Sequence, residues 1–402
     1  KVQMALIGPG GENLVRYACI MSLCMNEVSE ANGRCGTGAV MGSKKLKAVA
    51  VRGTGKLKWK DEAKVKELGV KAKDEAWKGW GENLNKYGTD ASLDDLSASG
   101  RLPTQNFRRG TFEGADKITG ETVASTILIR KNHCYACGVG CKRVVQTKEP
   151  YEVDPLYGGP EYETCAAFGS FLMNDNLAGI SKANELCNKY SLDTISTGVT
   201  IAFAMECYEK GILTSRDTDG LDLGWGNHQA IVRLVEKIGE RDGVGNLLAE
   251  GVKRAAKKIG RGAEKYAMHV KGLELPMHEP RGKVGMGLSY ATSIRGGCHT
   301  QVPHDDYWGE GVEPPLFVER PKFYLIPEMG LDTSMLRHRL YTGPEKSKLV
   351  VIGQNWWSFT KCMTTCLFTP YPAGMYMSTV MGLINSVTGW DISPKEAVTV
   401  GE

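Results

Sequence analysis

Cys134, Cys137 and Cys141 stand in the run NHCYACGVGCKR, a C-x2-C-x3-C pattern that sets three thiols within eight residues. Spacing this close lets one turn direct three sulfurs at a single centre, as an iron–sulfur cubane requires, with a fourth ligand arriving from elsewhere in the chain. Gly138 and Gly140 free the backbone to fold round such a cluster and to aim N–H groups at its sulfurs. Zinc is the second reading. It usually takes two separated cysteine pairs, or one pair with a spaced histidine pair, and His133 beside Cys134 is poorly placed for that. Unligated core cysteines are the third. Cys366 in KCMTTCLF is the best candidate for the distant ligand; Cys362 competes with it, and spacing alone does not choose. Cys19, Cys24, Cys165, Cys187 and Cys207 are scattered among apolar residues and read as small buried core residues.

The segment GGPEYETCAAFGS places Glu161 and Glu163 between a Gly-Gly-Pro turn and an apolar run. Carboxylates entering an apolar environment tend to have raised pKa values, which suits a general base near neutral pH. Acids complementing a helix N-terminus are the plainer reading and, on the residues alone, the favoured one. GLSYATSIRGGCHTQ combines Tyr290, Arg295, a Gly-Gly pair, Cys298 and His299. A histidine after two glycines can sit where backbone closely approaches a bulky cofactor, and Arg295 is a natural anion ligand, although a lone histidine is more often structural. The loop PMHEPRGK offers His278, Glu279 and Arg281. Near the start, IGPGGEN and NGRCGTGAVMGSKKLKA place glycines where backbone can cradle phosphate, but neither is a G-x-G-x-x-G dinucleotide fingerprint.

The elements that must position these residues change character along the chain. VQMALIG and KLKAVAVRG read as strands joined by Gly-rich turns. From Asp61 a charged amphipathic helix is expected, followed to about Ile127 by a polar stretch that reads as surface connection. After the cysteines, helical periodicity dominates in NDNLAGISKANELCNKY, TGVTIAFAMECYEKG, NHQAIVRLVEKIGERDG and GNLLAEGVKRAAKKIG. A Gly- and Pro-rich segment, 272–315, interrupts them and carries three of the seven histidines, as site-bearing loops on a helical scaffold do.

With 402 residues and 42% hydrophobic composition, the chain can bury the cores of two or three domains. Fifty Lys and Arg against 46 Asp and Glu leave a net charge of +4, too small to imply nucleic-acid binding, though a mildly basic surface suits an acidic redox partner. No apolar run reaches the roughly 18 residues of a membrane span, and the opening KVQMALIGPGGEN lacks a signal-peptide cleavage site, so the expected location is cytoplasmic.

Taken together, the segments resemble the tungsten-containing aldehyde ferredoxin oxidoreductase family. GPGGENLVRYACI, GRCGTGAVMGSKKLKAVAV, CYACGVGC, GPEYET, NELCNKYSLDTISTG, HEPRG and GLSYATSIRGGCH occur in family order across nearly the whole chain. The family's chains are longer at both ends, so this one is expected to begin late in the N-terminal β domain and to stop inside the last helical domain. The implied fold class is α+β: residues 1–57 as the remnant of a β domain that cradles the pterin, then two mainly helical domains, 58–268 with the cysteines and 269–402, round a buried cofactor. The implied cofactors are tungsten, or molybdenum, held by two pterins, a [4Fe–4S] cluster, and magnesium bridging the pterin phosphates.

By matching motifs, the resemblance gives Cys134, Cys137, Cys141 and Cys366 to the cluster. It gives Gly33, Arg34 and Cys35 to the turn near the pterin phosphates, and Arg295 to the cofactor. The family's D-x-x-G-L-D/C pterin signature matches at Asn188, Leu192 and Asp193, with a second copy ending at Cys366. Asn188 replaces an acid and Ser191 a glycine, and KCMTTC departs further. Glu163 matches the active-site glutamate, implying the base that activates water, and His299 the histidine beside the metal, implying a hydrogen-bond donor or proton carrier. The implied reaction oxidises an aldehyde to an acid and passes electrons to ferredoxin, with no nucleic acid or membrane involved and room for a homodimer. A non-catalytic iron–sulfur subunit that has lost the pterin site is the alternative, and a zinc-stabilised helical protein a third.

Overall fold

In the computed structural model, which describes residues 2–23, 28–307, 338–369 and 374–402, the chain opens on an antiparallel sheet. Its strands are β1 (Gln3–Leu6), β2 (Ile20–Leu23), β3 (Ser29–Asn32) and β4 (Ala48–Val51), in the order β3-β2-β1-β4. A hairpin of β5 (Leu128–Asn132) and β6 (Lys142–Val145) follows, and a short one of β7 (His269–Val270) and β8 (Leu273–Glu274). Among the described residues everything else regular is helical, so the architecture is the expected α+β: a small N-terminal sheet, then mainly helical bodies.

The main core is built round the helix Thr194–Glu209. Every residue from Ile195 to Cys207 is buried, so this helix is apolar on all sides rather than amphipathic, as a central helix must be. Asp193 caps it, accepting from the N–H groups of Ile195 and Ser196. The helices Tyr162–Phe168, Leu177–Tyr190, His228–Glu240 and Val252–Ile259 surround it. Val15, Tyr17 and Ala18 enter the same core from the segment between β1 and β2, which locks the sheet onto the helices. Cys165, Cys187 and Cys207 are buried there and Cys19 is buried beside the sheet, as expected of small apolar fillers; Cys24 lies outside the described residues.

Three expectations need correction. The stretch 80–127 is not surface connection: Leu93, Leu96, Leu102, Phe112 and Ile118 belong to the main core. Leu93 and Leu96 sit on the helix Leu93–Ala98 and Ile118 on the single turn Ala115–Ile118, both too short to show a helical period, while Leu102 and Phe112 enter the core from loops. GNLLAEGVKRAAKKIG is two helices, Val244–Leu248 and Val252–Ile259, broken at Gly251, whose φ of +77° only glycine adopts readily. The Gly- and Pro-rich segment also contains a helix, Val284–Thr292. The N–H groups of Gly285 and Met286 donate to the carboxylate of Asp305, a cap some twenty residues downstream that no local motif announces.

Toward the C-terminus, Pro344–Cys362 packs on Pro394–Val400, and Met377–Thr388 lies along the helix Glu62–Ala76. Trp356, Trp357, Phe359, Met377 and Val380 form their core. Among the described residues no helix is long and apolar enough to cross a membrane.

Candidate active site

The cysteine motif occupies the loop of the β5–β6 hairpin, where Asn132 pairs with Lys142 and residues 133–141 form the tip. Ala136 (φ +54°) and Gly140 (φ +74°) turn the chain sharply within the loop that carries Cys134, Cys137 and Cys141. The backbone N–H of Val139 donates to Cys137 Sγ at 3.4 Å, the polarity a thiolate bound to a cluster needs. Ala76, Trp80, Leu84 and Val139 back the loop, with Cys137 and Cys141 against them. Arg143, buried beneath, donates to the carbonyls of Leu84, Asn85, Lys86 and Gly140 and so ties the hairpin to the helix Glu82–Tyr87. Lys142 bridges Glu30 at 2.9 Å and Glu161 at 3.4 Å.

Cys366 lies in the turn after the helix Pro344–Cys362. Its sulfur is among those that Cys141 feels; burial first, then Glu161, Cys366 and Cys137, push the Cys141 thiol well up. Cys362 instead lies beside Lys361. Of the two candidates for the distant ligand, Cys366 is the one whose charge is felt at Cys141. Tetrahedral zinc with sulfur ligands at about 2.3 Å would draw the sulfurs to within about 4 Å of each other. Among the described residues, no group of three cysteines has its ligand atoms within 4.8 Å, so the spacing is wider than a single ion's.

The Gly33–Gly36 turn holds three consecutive left-handed residues, Arg34 (φ +68°), Cys35 (φ +64°) and Gly36 (φ +69°). A Cβ on Gly36 would lie 2.1 Å from the Arg16 carbonyl oxygen, so the close approach demands glycine, whereas Gly33 faces open space. The buried Arg34 guanidinium donates to Asp193 at 3.3 Å, to the Gly297 carbonyl at 2.7 Å and to the Glu274 carbonyl. Burial works against its charge, but Asp193, ahead of Cys298 and Glu163, raises its pKa overall. Asn188 and Leu192 do not join this group: Asn188 accepts from Ser29 and donates to the Asn184 carbonyl, and Leu192 is core. Arg295 is half-buried and donates to the exposed Cys35 Sγ at 3.2 Å. With its side-chain amide oriented to accept, Gln301 takes hydrogen bonds from Arg295 Nη1 and Lys361 Nζ, each at 3.0 Å. Burial pushes Lys361 down to about 8. The Cys298 thiol, which burial alone would push up, is held below its ordinary range by Arg34, with Thr300 and Arg295 helping.

The two candidate carboxylates part company at the helix Tyr162–Phe168. Glu161, its N-cap residue, turns toward the cysteine hairpin, accepting from Thr89 Oγ1 at 2.6 Å and pairing with Lys142. Glu163 turns inward. Its Oε2 accepts from the Met277 N–H at 2.9 Å, and its Oε1 lies 2.9 Å from His278 Nε2 and 3.7 Å from His299 Nδ1. The His278 ring lies between those of Tyr162, His299 and His304, at centroid distances of 5.2, 5.3 and 4.3 Å. Burial pushes His278 and His304 well below the ordinary histidine range. It pushes His299 down to about 3, Glu163 opposing the shift and Arg34 and Lys361 adding to it. Both imidazoles facing Glu163 are therefore neutral at neutral pH. Lys361 was missed as a site residue, and His278, offered by the loop PMHEPRGK, was given no role beside Glu163. HEPRG carries a histidine but no spacing that ties it to Glu163, and nothing near KCMTTC marks the lysine.

Glu163 Oε1, His278 Nδ1 and His299 Nδ1 are buried without a hydrogen-bond partner among the described residues, and Arg34, Arg295 and Lys361 gather cationic charge beside them. Such a cluster of orphaned polar atoms and cations fits a bulky anionic group bearing phosphates.

Residues 65–402 match the family model for aldehyde ferredoxin oxidoreductase, domains 2 and 3, and residues 1–53 that for the N-terminal domain. The chain belongs to the aldehyde ferredoxin oxidoreductase family. It is 38% identical over its whole length to a tungsten-containing aldehyde ferredoxin oxidoreductase of Thermococcus kodakarensis and 37% to one of Pyrococcus furiosus, spanning 62% of the length of each. Over 81% of the chain it is 35% identical to a P. furiosus protein described as an aliphatic sulfonate oxidoreductase, WOR-like subunit, covering 54% of that protein. Among solved structures, the active-site complex BamBC of benzoyl coenzyme A reductase with 1,5-dienoyl-CoA superposes with a TM-score of 0.75 at 22% identity. That likeness, over 100% of this chain and 64% of the other, is one of fold.

Proposed function

We propose that this aldehyde ferredoxin oxidoreductase family member oxidises an aldehyde to a carboxylic acid at a tungsten centre held by two pterins, passing electrons through a [4Fe–4S] cluster to ferredoxin. The observation that carries the reading is the convergence of Glu163 and His299, from segments 136 residues apart, beside a cationic cradle. Gly33, Arg34, Cys35 and Arg295 are the groups that would hold the pterin phosphates and a bridging magnesium. Cys134, Cys137, Cys141 and Cys366 would hold the cluster. When bound, the pterin-held metal supplies Lewis acidity and accepts two electrons.

Aldehyde and water give the acid, two protons and two electrons. Glu163 takes one proton from water on Oε1, while the Met277 N–H fixes Oε2 and so the plane of the carboxylate. His299, kept neutral by burial, has one N–H to donate and one nitrogen to accept, which suits a hydrogen-bonding partner of the reacting oxygen. Tyr162 and Tyr290, donating to the carbonyls of Met277 and His278, hold the loop whose Met277 N–H fixes Glu163. A purely electron-carrying role would give the buried acid and its imidazoles no work. The turn that carries Cys366 follows directly on Lys361, so one helix end links the two centres.

The test is anaerobic purification of the complete protein, with tungsten, iron and pterin measured alongside reduction of a viologen dye. The reading expects dye reduction that depends on aldehyde; a tungsten-loaded preparation with no such activity would refute it.

A further inference from the structure

His278 lies against Glu163 as closely as any group the mechanism uses, yet the reading above assigns it nothing. Glu163 Oε1 is 2.9 Å from His278 Nε2 and 3.7 Å from His299 Nδ1, and one ligand atom from each of the three residues falls within 4.8 Å of the others. Atoms so spaced can all touch one small occupant. Despite the 2.9 Å approach of His278, Glu163 Oε1 has no hydrogen-bond partner among the described residues, so that oxygen keeps an acceptor site for a third party.

Two occupants fit three such atoms: a divalent metal ion, since two imidazoles and a carboxylate are a common ligand set, or a water molecule. The surrounding charge decides. Arg34, paired with Asp193, and Lys361 face His299, and Lys283 and Arg101 face His278, where Asp306 is the opposing carboxylate. A bare dication would enter a region where Glu163 is outnumbered by cations, and Coulomb repulsion at these distances is not screened by solvent. A neutral water meets no such cost, and an incipient hydroxide is favoured by the same field.

We propose that His278 is a third residue of the water-activating group, holding with Glu163 and His299 the single water molecule whose oxygen is transferred to the aldehyde. The inference rests on the proposed function. As the oxygen bonds to the aldehyde carbon, the water O–H bond breaks and its proton passes to Glu163 Oε1; the second proton and the two electrons leave as in the overall reaction above. Neutral imidazoles serve this arrangement. Burial prevents His278 from becoming an imidazolium, so it offers a hydrogen bond without forming the ion pair that would weaken Glu163 as a base.

The experiment compares H278L, H278Q and E163Q in the complete, cofactor-loaded enzyme. H278L is expected to lower kcat by about 100-fold with KM for aldehyde within about twofold, at unchanged tungsten and iron content. H278Q, whose carboxamide reaches where Nε2 lies, is expected to recover about tenfold of that loss. Cobalt(II) added to the wild-type protein is expected to give no new visible absorption band. Wild-type kcat in H278L beside an inactive E163Q overturns the inference alone, whereas an active E163Q overturns the reading beneath it. A cobalt band abolished by H278L makes the group a metal site and also overturns it. If leucine prevents folding, H278N, which reaches only to the Nδ1 position, replaces it: equal kcat in H278N and H278Q contradicts a role for the nitrogen facing Glu163.

Discussion

Replacing Arg34 with methionine removes a charge that is only 7% exposed, leaving Asp193, 5% exposed, without its cation. It also strands two carbonyl acceptors, those of Gly297 and Glu274, at the junction between the Gly-rich turn and the β7–β8 hairpin. Breaking a buried pair from one side costs about 3–5 kcal/mol, because the remaining charge stays buried. Asp193 keeps its bonds from Ser196, which places R34M at the lower end, about 3 kcal/mol. R34K keeps the charge but not the planar fork that spans three acceptors and should lose about 1–2 kcal/mol. Arg295 is the control. It touches Cys35 and Gln301 rather than a buried carboxylate, so R295M should change stability by no more than about 0.5 kcal/mol. Urea unfolding followed by tryptophan fluorescence on the three variants measures the differences. An R34M stability within about 1 kcal/mol of wild type, or equal losses in R34M and R295M, would refute the assignment of Arg34 as the structural clamp of the turn.

His278, His299 and His304 all have pKa values lowered by burial, so below pH about 6.5 the unfolded chain binds protons that the folded chain does not. Stability present above that pH should fall by about 1.4 kcal/mol per histidine per pH unit as pH drops toward the folded values, read as a decline in the urea midpoint between pH 7 and 5. Asp306, held low by Lys283 and Arg101 against the opposing effect of burial, should add a further loss below pH about 4. C366S should lose the broad visible absorption of an iron–sulfur cluster in the anaerobic protein while C362S keeps it; the reverse would give the fourth ligand to Cys362. K142M should destabilise by about 2–3 kcal/mol by leaving Glu30 and Glu161 facing each other, and neutralising Glu161 in K142M/E161Q should recover part of that loss in the same unfolding assay.

What was legible in the sequence follows range of interaction. The long helices, the strands flanking the Gly-rich turns and the inward burial of Cys165, Cys187 and Cys207 were written in local pattern. The hairpin that displays Cys134, Cys137 and Cys141 was not, because its strands are short and its register is fixed by Arg143 reaching back to residues 84–86. Glu161 and Glu163, two positions apart, looked equivalent on residue pattern alone, and only the family resemblance singled out Glu163; the first turn of their helix sends them to opposite neighbours. The same limit explains His278, whose partner Glu163 is 115 residues away, and Asn188, whose place in the pterin signature gave no hint that it bonds to Ser29 and Asn184 instead.

The most direct test of the whole account is aldehyde-driven reduction of the iron–sulfur cluster, followed by rapid-freeze electron paramagnetic resonance in wild type and E163Q with tungsten and iron matched. Loss of the general base should slow the appearance of the reduced-cluster signal by about 100-fold or more. A cluster that fills with electrons from aldehyde at the same rate in both proteins would contradict the account.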